Sequence, residues 1–122
     1  MVGIPLAYVH VVILAMLRMK SSTLRTAEMI QALRALMRAA RAEKGFITCQ
    51  LYLDADDDLA IRYEEQWRTQ KDFEDQLRSS RYTWLLDLME SATEQPVLEF
   101  HFVCETRGLE YVAAVRGEQV ND

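Results

Sequence analysis

Gly45-Phe46-Ile47-Thr48-Cys49-Gln50-Leu51-Tyr52, Asp54-Ala55-Asp56-Asp57-Asp58 and Ala60-Ile61-Arg62-Tyr63-Glu64-Glu65-Gln66-Trp67 form the stretch that decides the fold. Two β-rich segments flank an acidic turn, the pattern of a hairpin. Thr69-Gln70-Lys71-Asp72 follows at once and fits the Ser/Thr-x-x-acid signature of a helix start. The second strand of the hairpin alternates. Ile61, Tyr63, Glu65 and Trp67 share one face, while Ala60, Arg62, Glu64 and Gln66 share the other. One face is thus rich in aromatic and apolar groups, and the other is polar.

Working outward, residues 8–18 predict a first strand. Val9, Val11, Val12 and Ile13 are β-branched, which favours a strand. Its apolar character on both faces marks a central, covered strand. Ser21, Ser22 and Thr23 offer N-cap hydroxyls for a long helix. Ile30, Leu33, Met37 and Ala40, with Leu36 beside them, give that helix an apolar stripe. It stops near Glu43, and Gly45 supplies the left-handed residue common just past a helix end. Strand two is expected over 46–53 and strand three over 59–67. Phe73 and Leu77 anchor a short helix. Ser79 and Ser80 break it and cap a second piece, buried through Tyr82, Leu85, Leu86 and Met89. Pro96 opens strand four, Val97 to Cys104.

The order β-α-β-β-α-β, with the second helix broken, is the ferredoxin-like α+β plait. Right-handed crossovers place strands one and three at the centre. The chain reads as one domain over 1–122, with a core plait over 8–104 and a C-terminal extension over 105–122. Leu109, Tyr111, Val112 and Val115 make that extension too apolar for a free end. It is expected to pack on its own or a partner subunit. Helices cover only one sheet face, so the open face predicts a homodimer.

The hairpin and its sequel resemble the antibiotic biosynthesis monooxygenase (ABM) family of dimeric α+β barrels. There a Gly-led strand, an acidic turn and a strand ending Glu-x-Trp precede a helix with an aromatic-x-x-x-Leu pattern. Here these are Gly45, Asp54 to Asp58, Glu65-Gln66-Trp67, and Phe73 to Leu77. Glu105-Thr106-Arg107-Gly108-Leu109-Glu110 is similar to the ending of one branch of the family. The resemblance implies cofactor-independent oxygenation of a small electron-rich aromatic, such as a quinol, anthrone or polyketide. Many members carry a His after the Ser-rich break, where this chain has Ser80-Arg81-Tyr82-Thr83-Trp84. The haem-degrading relatives use an Asn, a Trp and a His. Gln76 and Leu86 stand at the places of that Trp and His, which disfavours haem degradation. No cofactor is expected.

Composition narrows the alternatives. The net charge of −5 opposes nucleic-acid binding, which needs clustered Lys and Arg. Val2 to Leu17 has no charged residue but is shorter than the roughly 20 apolar residues of a membrane span. It has no basic n-region or small-residue cleavage site, so a signal peptide is not expected either. Cys49 and Cys104 do not form a Cys-x-x-Cys spacing, and two buried thiols in a reducing cytoplasm is the reading. The Asp54, Asp56, Asp58 and Glu65 spacing imitates a calcium loop, yet its sixth position is Leu59 rather than Gly and its flanks are strands. A solvated turn is preferred, and no metal is expected.

His10 and His101, on neighbouring strands one and four, are the only histidines. As structural or surface groups they need no explanation, but as functional groups they titrate nearest neutrality. Trp67, Tyr82 and Trp84 read first as packing aromatics and second as walls of a flat apolar pocket. Arg62, Glu64 and Glu65 read as a cross-strand or dimer-face charge set. The site nominated for the oxygenase is therefore His10 or His101 as acid/base, Tyr82 and Tyr63 as hydrogen-bonding groups, and Trp67 and Trp84 as pocket walls. The alternative is a non-catalytic dimeric module that binds a small ligand or serves in stress or regulation, because fold alone does not fix function.

Overall fold

A computed structural model describes residues 11–21 and 25–118. Its elements are β1 (Val12–Lys20), α1 (Thr26–Ala40), β2 (Phe46–Leu53), β3 (Ala60–Trp67), α2 (Gln70–Leu77), α3 (Ser80–Glu90), β4 (Val97–Val103) and α4 (Leu109–Arg116). The four strands form one antiparallel sheet in the order β2-β3-β1-β4. The expected ferredoxin-like plait is present, with strands one and three at the centre.

Register explains which side chains face the helices. Leu17 pairs with Tyr63 on one side and Leu98 on the other, and Ala15 pairs with Glu65 and Phe100. These share the helix-covered face with Ile13 and Trp67. The next residues along each strand, Leu14 and Met16 of β1 with Gln66 and Glu64 of β3 and His101 and Glu99 of β4, share the open face. Two apolar clusters fill the space beneath the helices. Leu17, Leu33, Leu36, Ile61, Tyr63 and Leu85 belong to one. Ile13, Ala15, Ala40, Trp67 and Phe73 form the other.

The acidic turn is built by its own carboxylates. Asp54 Oδ1 accepts from the Asp56 N–H at 2.8 Å and Asp57 Oδ1 from the Leu59 N–H at 3.0 Å. Lys20 Nζ lies 2.8 Å from Asp57 Oδ2, fastening the hairpin to the end of β1. At the other end of β2, Gly45 has φ +85°, and a Cβ there would meet Asp72 Oδ2 at 2.5 Å. Only glycine fits both the left-handed backbone and the close approach of α2. Thr69 caps α2 by accepting from the Asp72 N–H, and Ser79 caps α3 by accepting from the Tyr82 N–H.

Several expectations are corrected. The described part of β1 runs to Lys20 rather than ending at residue 18, because pairing with β3 continues through Lys20–Ala60. The nominated caps do not start α1. Arg25 holds the N-cap position without a side-chain bond. Ser21 is buried with its hydroxyl 2.6 Å from Thr26 Oγ1, while Ser22 and Thr23 lie outside the described residues. The centre of the α1 stripe is Met29, Leu33, Leu36 and Ala40, with Ile30 and Met37 at its margin. Leu86 is exposed rather than part of the buried stripe. Cys104 is also exposed, one residue beyond β4, and Cys49 is half-buried. The extension forms α4, with no buried residue and Leu109 82% exposed. Among the described residues, no helix is long and apolar enough to cross a membrane.

Candidate functional site

Beneath the helices the alternation of β3 brings Tyr63, Glu65 and Trp67 onto one face, with Glu65 only 2% exposed. A buried carboxylate is tolerated only when paired and hydrogen-bonded. Arg81, in the first turn of α3, supplies the pairing. Its Nη1 donates to Glu65 Oε2 at 2.6 Å and its Nη2 to Oε1 at 3.0 Å, a two-pronged fork. The Trp67 indole N–H donates to Oε1 at 3.0 Å, and the Tyr63 hydroxyl donates to Oε2. Gln76 Oε1 accepts from Arg81 Nε at 3.1 Å, fixing the guanidinium from α2. Glu65 thus accepts four hydrogen bonds and has no free lone pair for proton abstraction.

The electrostatics follow the packing. Burial pushes the Tyr63 phenol up, and the Glu65 charge adds to this. Burial works against the Arg81 charge, but the hydrogen bonds and charge of Glu65 outweigh it and raise the Arg81 pKa. Tyr82 is 4% exposed, and its hydroxyl is the one buried side-chain polar atom among the described residues without a hydrogen-bond partner. Burial, then the Glu65 charge, pushes its pKa up to about 12. At neutral pH it is a hydrogen-bond donor rather than a base.

Tyr82 lines a small cavity of about 10 Å³, close to the volume one water requires. Ala15 and Leu17 of β1, Leu85 of α3 and Leu98 of β4 form its apolar wall, and Tyr63 and Glu65 complete it. An unpaired buried hydroxyl costs on the order of 1–3 kcal/mol. A position that keeps such a group invites a ligand atom as its partner.

The nominated residues divide. Tyr63, Trp67 and Tyr82 come together around Glu65 and Arg81. Trp67 is fully buried and lies edge-on to Phe46, with centroids 5.9 Å apart, so it supports the network from below rather than walling an open pocket. Trp84 is 63% exposed and lies outside the cavity. His101 pairs with Leu14 on the open face, 3.9 Å from Glu99, with the sheet between it and Tyr82. His10 lies outside the described residues. Glu65 does not belong to a surface charge set with Arg62 and Glu64. Those two pair at 3.3 Å on the open face, whereas Glu65 points the other way. Glu65, Arg81 and Gln76 are the site residues that sequence reasoning missed. The available signals were a carboxylate on the apolar face of strand three and an arginine one residue before the buried Tyr82. Among the described residues, no group of three or more His, Cys, Asp or Glu side chains is placed to hold a metal ion.

The sequence profile described as antibiotic biosynthesis monooxygenase matches residues 11–83, which spans β1 through the start of α3 and includes every member of the buried network. The chain belongs to the antibiotic biosynthesis monooxygenase family. Solved structures share the fold. A candidate antibiotic biosynthesis monooxygenase from Nitrosomonas europaea is 18% identical with a TM-score of 0.69, covering 81% of this chain and 96% of its own. Another from Deinococcus radiodurans is 16% identical with a TM-score of 0.71, covering 79% and 96%. A conserved protein from Methanosarcina mazei Go1 is 14% identical with a TM-score of 0.69, covering 76% and 93%. At these identities the likeness is one of fold. No curated protein matches the chain.

Proposed function

We propose that this ABM-family chain is a cofactor-independent monooxygenase acting on a small electron-rich aromatic, such as a quinol, an anthrone or a polyketide-like compound. The observation that carries the reading is the unpartnered Tyr82 hydroxyl, buried beside the Glu65–Arg81 network and lining the cavity. Such a substrate reduces O₂ itself once deprotonated. For an anthrone-like CH₂, loss of a proton to a base gives a carbanion, one electron passes to O₂, the radical pair joins as a peroxide anion, and return of the proton gives the hydroperoxide. Loss of water then leaves the carbonyl, with one oxygen atom in product and one in water. The protein's part is to exclude water and donate a hydrogen bond to the developing oxyanion. Tyr82 does this as a neutral phenol. Glu65 and Arg81 neutralise each other and hold the helix–sheet wall. The acid/base nomination stays with His10 or His101, to be tested by His10→Ala and His101→Ala.

The partner in this proposal is a second copy. The open face carries half-buried Val12, Leu14 and Met16 of β1 and Val103 of β4, and α4 exposes Leu109, Val112 and Val115. Both surfaces would be covered in a homodimer, and sedimentation at micromolar concentration tests this.

The small cavity volume favours the second reading, a non-catalytic dimeric ligand-binding or regulatory module. Oxygen uptake by metal-free protein against quinols, anthrones and catechols decides between them. Saturable uptake that falls in Tyr82→Phe supports the oxygenase. Uptake at the spontaneous rate across the panel overturns it.

A further inference from the structure

The Tyr82 cavity measures about 10 Å³, far below the roughly 300 Å³ at which small-molecule pockets begin. An aromatic ring does not fit inside it, so its occupant is no larger than a few atoms. The lining has two characters. Ala15, Leu17, Leu85 and Leu98 are apolar, and the first three are 7%, 1% and 3% exposed. Tyr63, Glu65 and Tyr82 make the polar side. Ala15 is the smallest side chain of the set, and it sits opposite Glu65 on β3 and Phe100 on β4.

Water is poorly served in this space. A buried water typically makes about three hydrogen bonds. Glu65 already accepts four, two from Arg81 and one each from Trp67 and Tyr63. The Tyr63 proton is engaged by that carboxylate. Only the Tyr82 hydroxyl and the Tyr63 oxygen remain for a water, and the other walls are hydrocarbon. An apolar diatomic gives up no hydrogen bonds on entering such a place, whereas an under-partnered polar molecule does. The Tyr82 hydroxyl, 4% exposed and without a partner, adds a second property. It offers little to a neutral diatomic and much to an anion formed from it, because a fixed donor away from water meets developing charge without reorganisation. Glu65 does not oppose that anion, since Arg81 offsets its charge through two bonds.

We propose that the Tyr82 cavity is an O₂ site. Its apolar side admits O₂ past half-buried Leu98 on the edge strand β4, and the Tyr82 hydroxyl donates to superoxide formed there. The superoxide role rests on the oxygenase reading. The substrate carbanion gives one electron to the bound O₂, and the superoxide accepts the Tyr82 hydrogen bond. It then joins the substrate radical as the peroxide anion, and Tyr82 keeps its proton throughout. The binding of O₂ rests on the cavity alone.

Methyl spectra of the intact protein, ¹³C-labelled at Ala, Ile and Leu, test the binding under pressurised O₂ and under N₂, without substrate. O₂ is paramagnetic and speeds the relaxation of the methyls it touches. The enhancement at Ala15, Leu17, Leu85 and Leu98 should exceed roughly twofold that at Ile13 and Leu33, which are fully buried where close packing leaves no void. Ala15→Val fills the space and should bring the three leucines down to the level of Ile13. In the unmodified protein, an enhancement at the cavity methyls no greater than at Ile13 and Leu33 would overturn the proposal, whether or not the variant folds. Cross-relaxation from a resident water to those methyls under N₂ would overturn it as well. Because no substrate is present, failure of the oxygenase reading leaves this outcome untouched. In an oxygen-uptake assay, Ala15→Val should raise the KM for O₂ severalfold and leave that for the aromatic unchanged. An unchanged KM for O₂ would overturn the superoxide role.

Discussion

Replacing Arg81 by methionine tests whether the buried network holds the helices on the sheet. The substitution keeps most of the side-chain volume and removes the charge. Glu65 then loses two of its four hydrogen bonds, at 2.6 and 3.0 Å, and its ion pair with Arg81, while Gln76 loses its donor. Breaking a buried pair on one side costs about 3–5 kcal/mol, because the remaining charge has neither water nor partner. An exposed pair would be worth only about 0–1 kcal/mol, so the two cases are well separated. Against a total stability of about 5–15 kcal/mol, the loss is large. With a urea slope of about 1.5 kcal/mol/M the midpoint should fall by roughly 2–3 M. Glu65→Gln alone should destabilise as well, by leaving Arg81 unpaired. The double variant should cost less than the sum of the singles by about 2 kcal/mol or more, since it leaves no buried charge. Urea unfolding of the four proteins at neutral pH measures the cycle. A cost below about 1 kcal/mol for Arg81→Met, or additive singles, would refute the reasoning that this network is dry and coupled.

Other consequences are equally specific. Tyr82→Phe removes a hydroxyl that has no partner, so the folded state should be unchanged or up to about 1–3 kcal/mol more stable in urea, while any oxygenase rate falls. A loss of more than about 1 kcal/mol would mean that the hydroxyl is paired. Gly45→Ala should destabilise by more than about 1 kcal/mol through its left-handed backbone and the clash with Asp72, seen as a lower Tm. Thr69→Ala should cost about 0.5–2 kcal/mol through the lost α2 cap, read from the same unfolding curves. At alkaline pH the buried phenols matter. Tyr82 stands at about 12 when folded and near the ordinary value of about 10 when unfolded. Its contribution is therefore complete below pH 10 and is lost as pH rises through 12. Guanidinium midpoints between pH 9 and 12 should decline, and Tyr82→Phe should flatten that decline. An equal slope in the variant would refute the assignment.

The open sheet face and the helix face show where sequence reasoning succeeds and stops. The hairpin, the alternation of β3, the Thr69 and Ser79 caps and the left-handed Gly45 were legible because each depends on residues near one another in sequence. The central place of β1 was legible too, from the β-α-β-β-α-β order and right-handed crossovers. The start of α1 was not, because Ser21 turned inward to Thr26 instead of capping a helix. His101 and Tyr82 both looked available to one pocket, yet a strand residue's face is settled by register, and the sheet divides them.

The buried polar network belonged to the tertiary structure. Glu65 and Arg81 lie sixteen residues apart on a strand and a helix, and their pairing appears only when α3 is laid across β3. In isolation each resembles an ordinary surface charge, and it is burial that makes them a network. The same packing sent Trp84 outward and left Tyr82 without a partner. Sequence by itself determined the element order, the apolar faces and hence the plait, because local propensity and periodicity act residue by residue. The meeting of side chains across layers, and the cavity between them, was decided by register and helix placement, which no local pattern encodes.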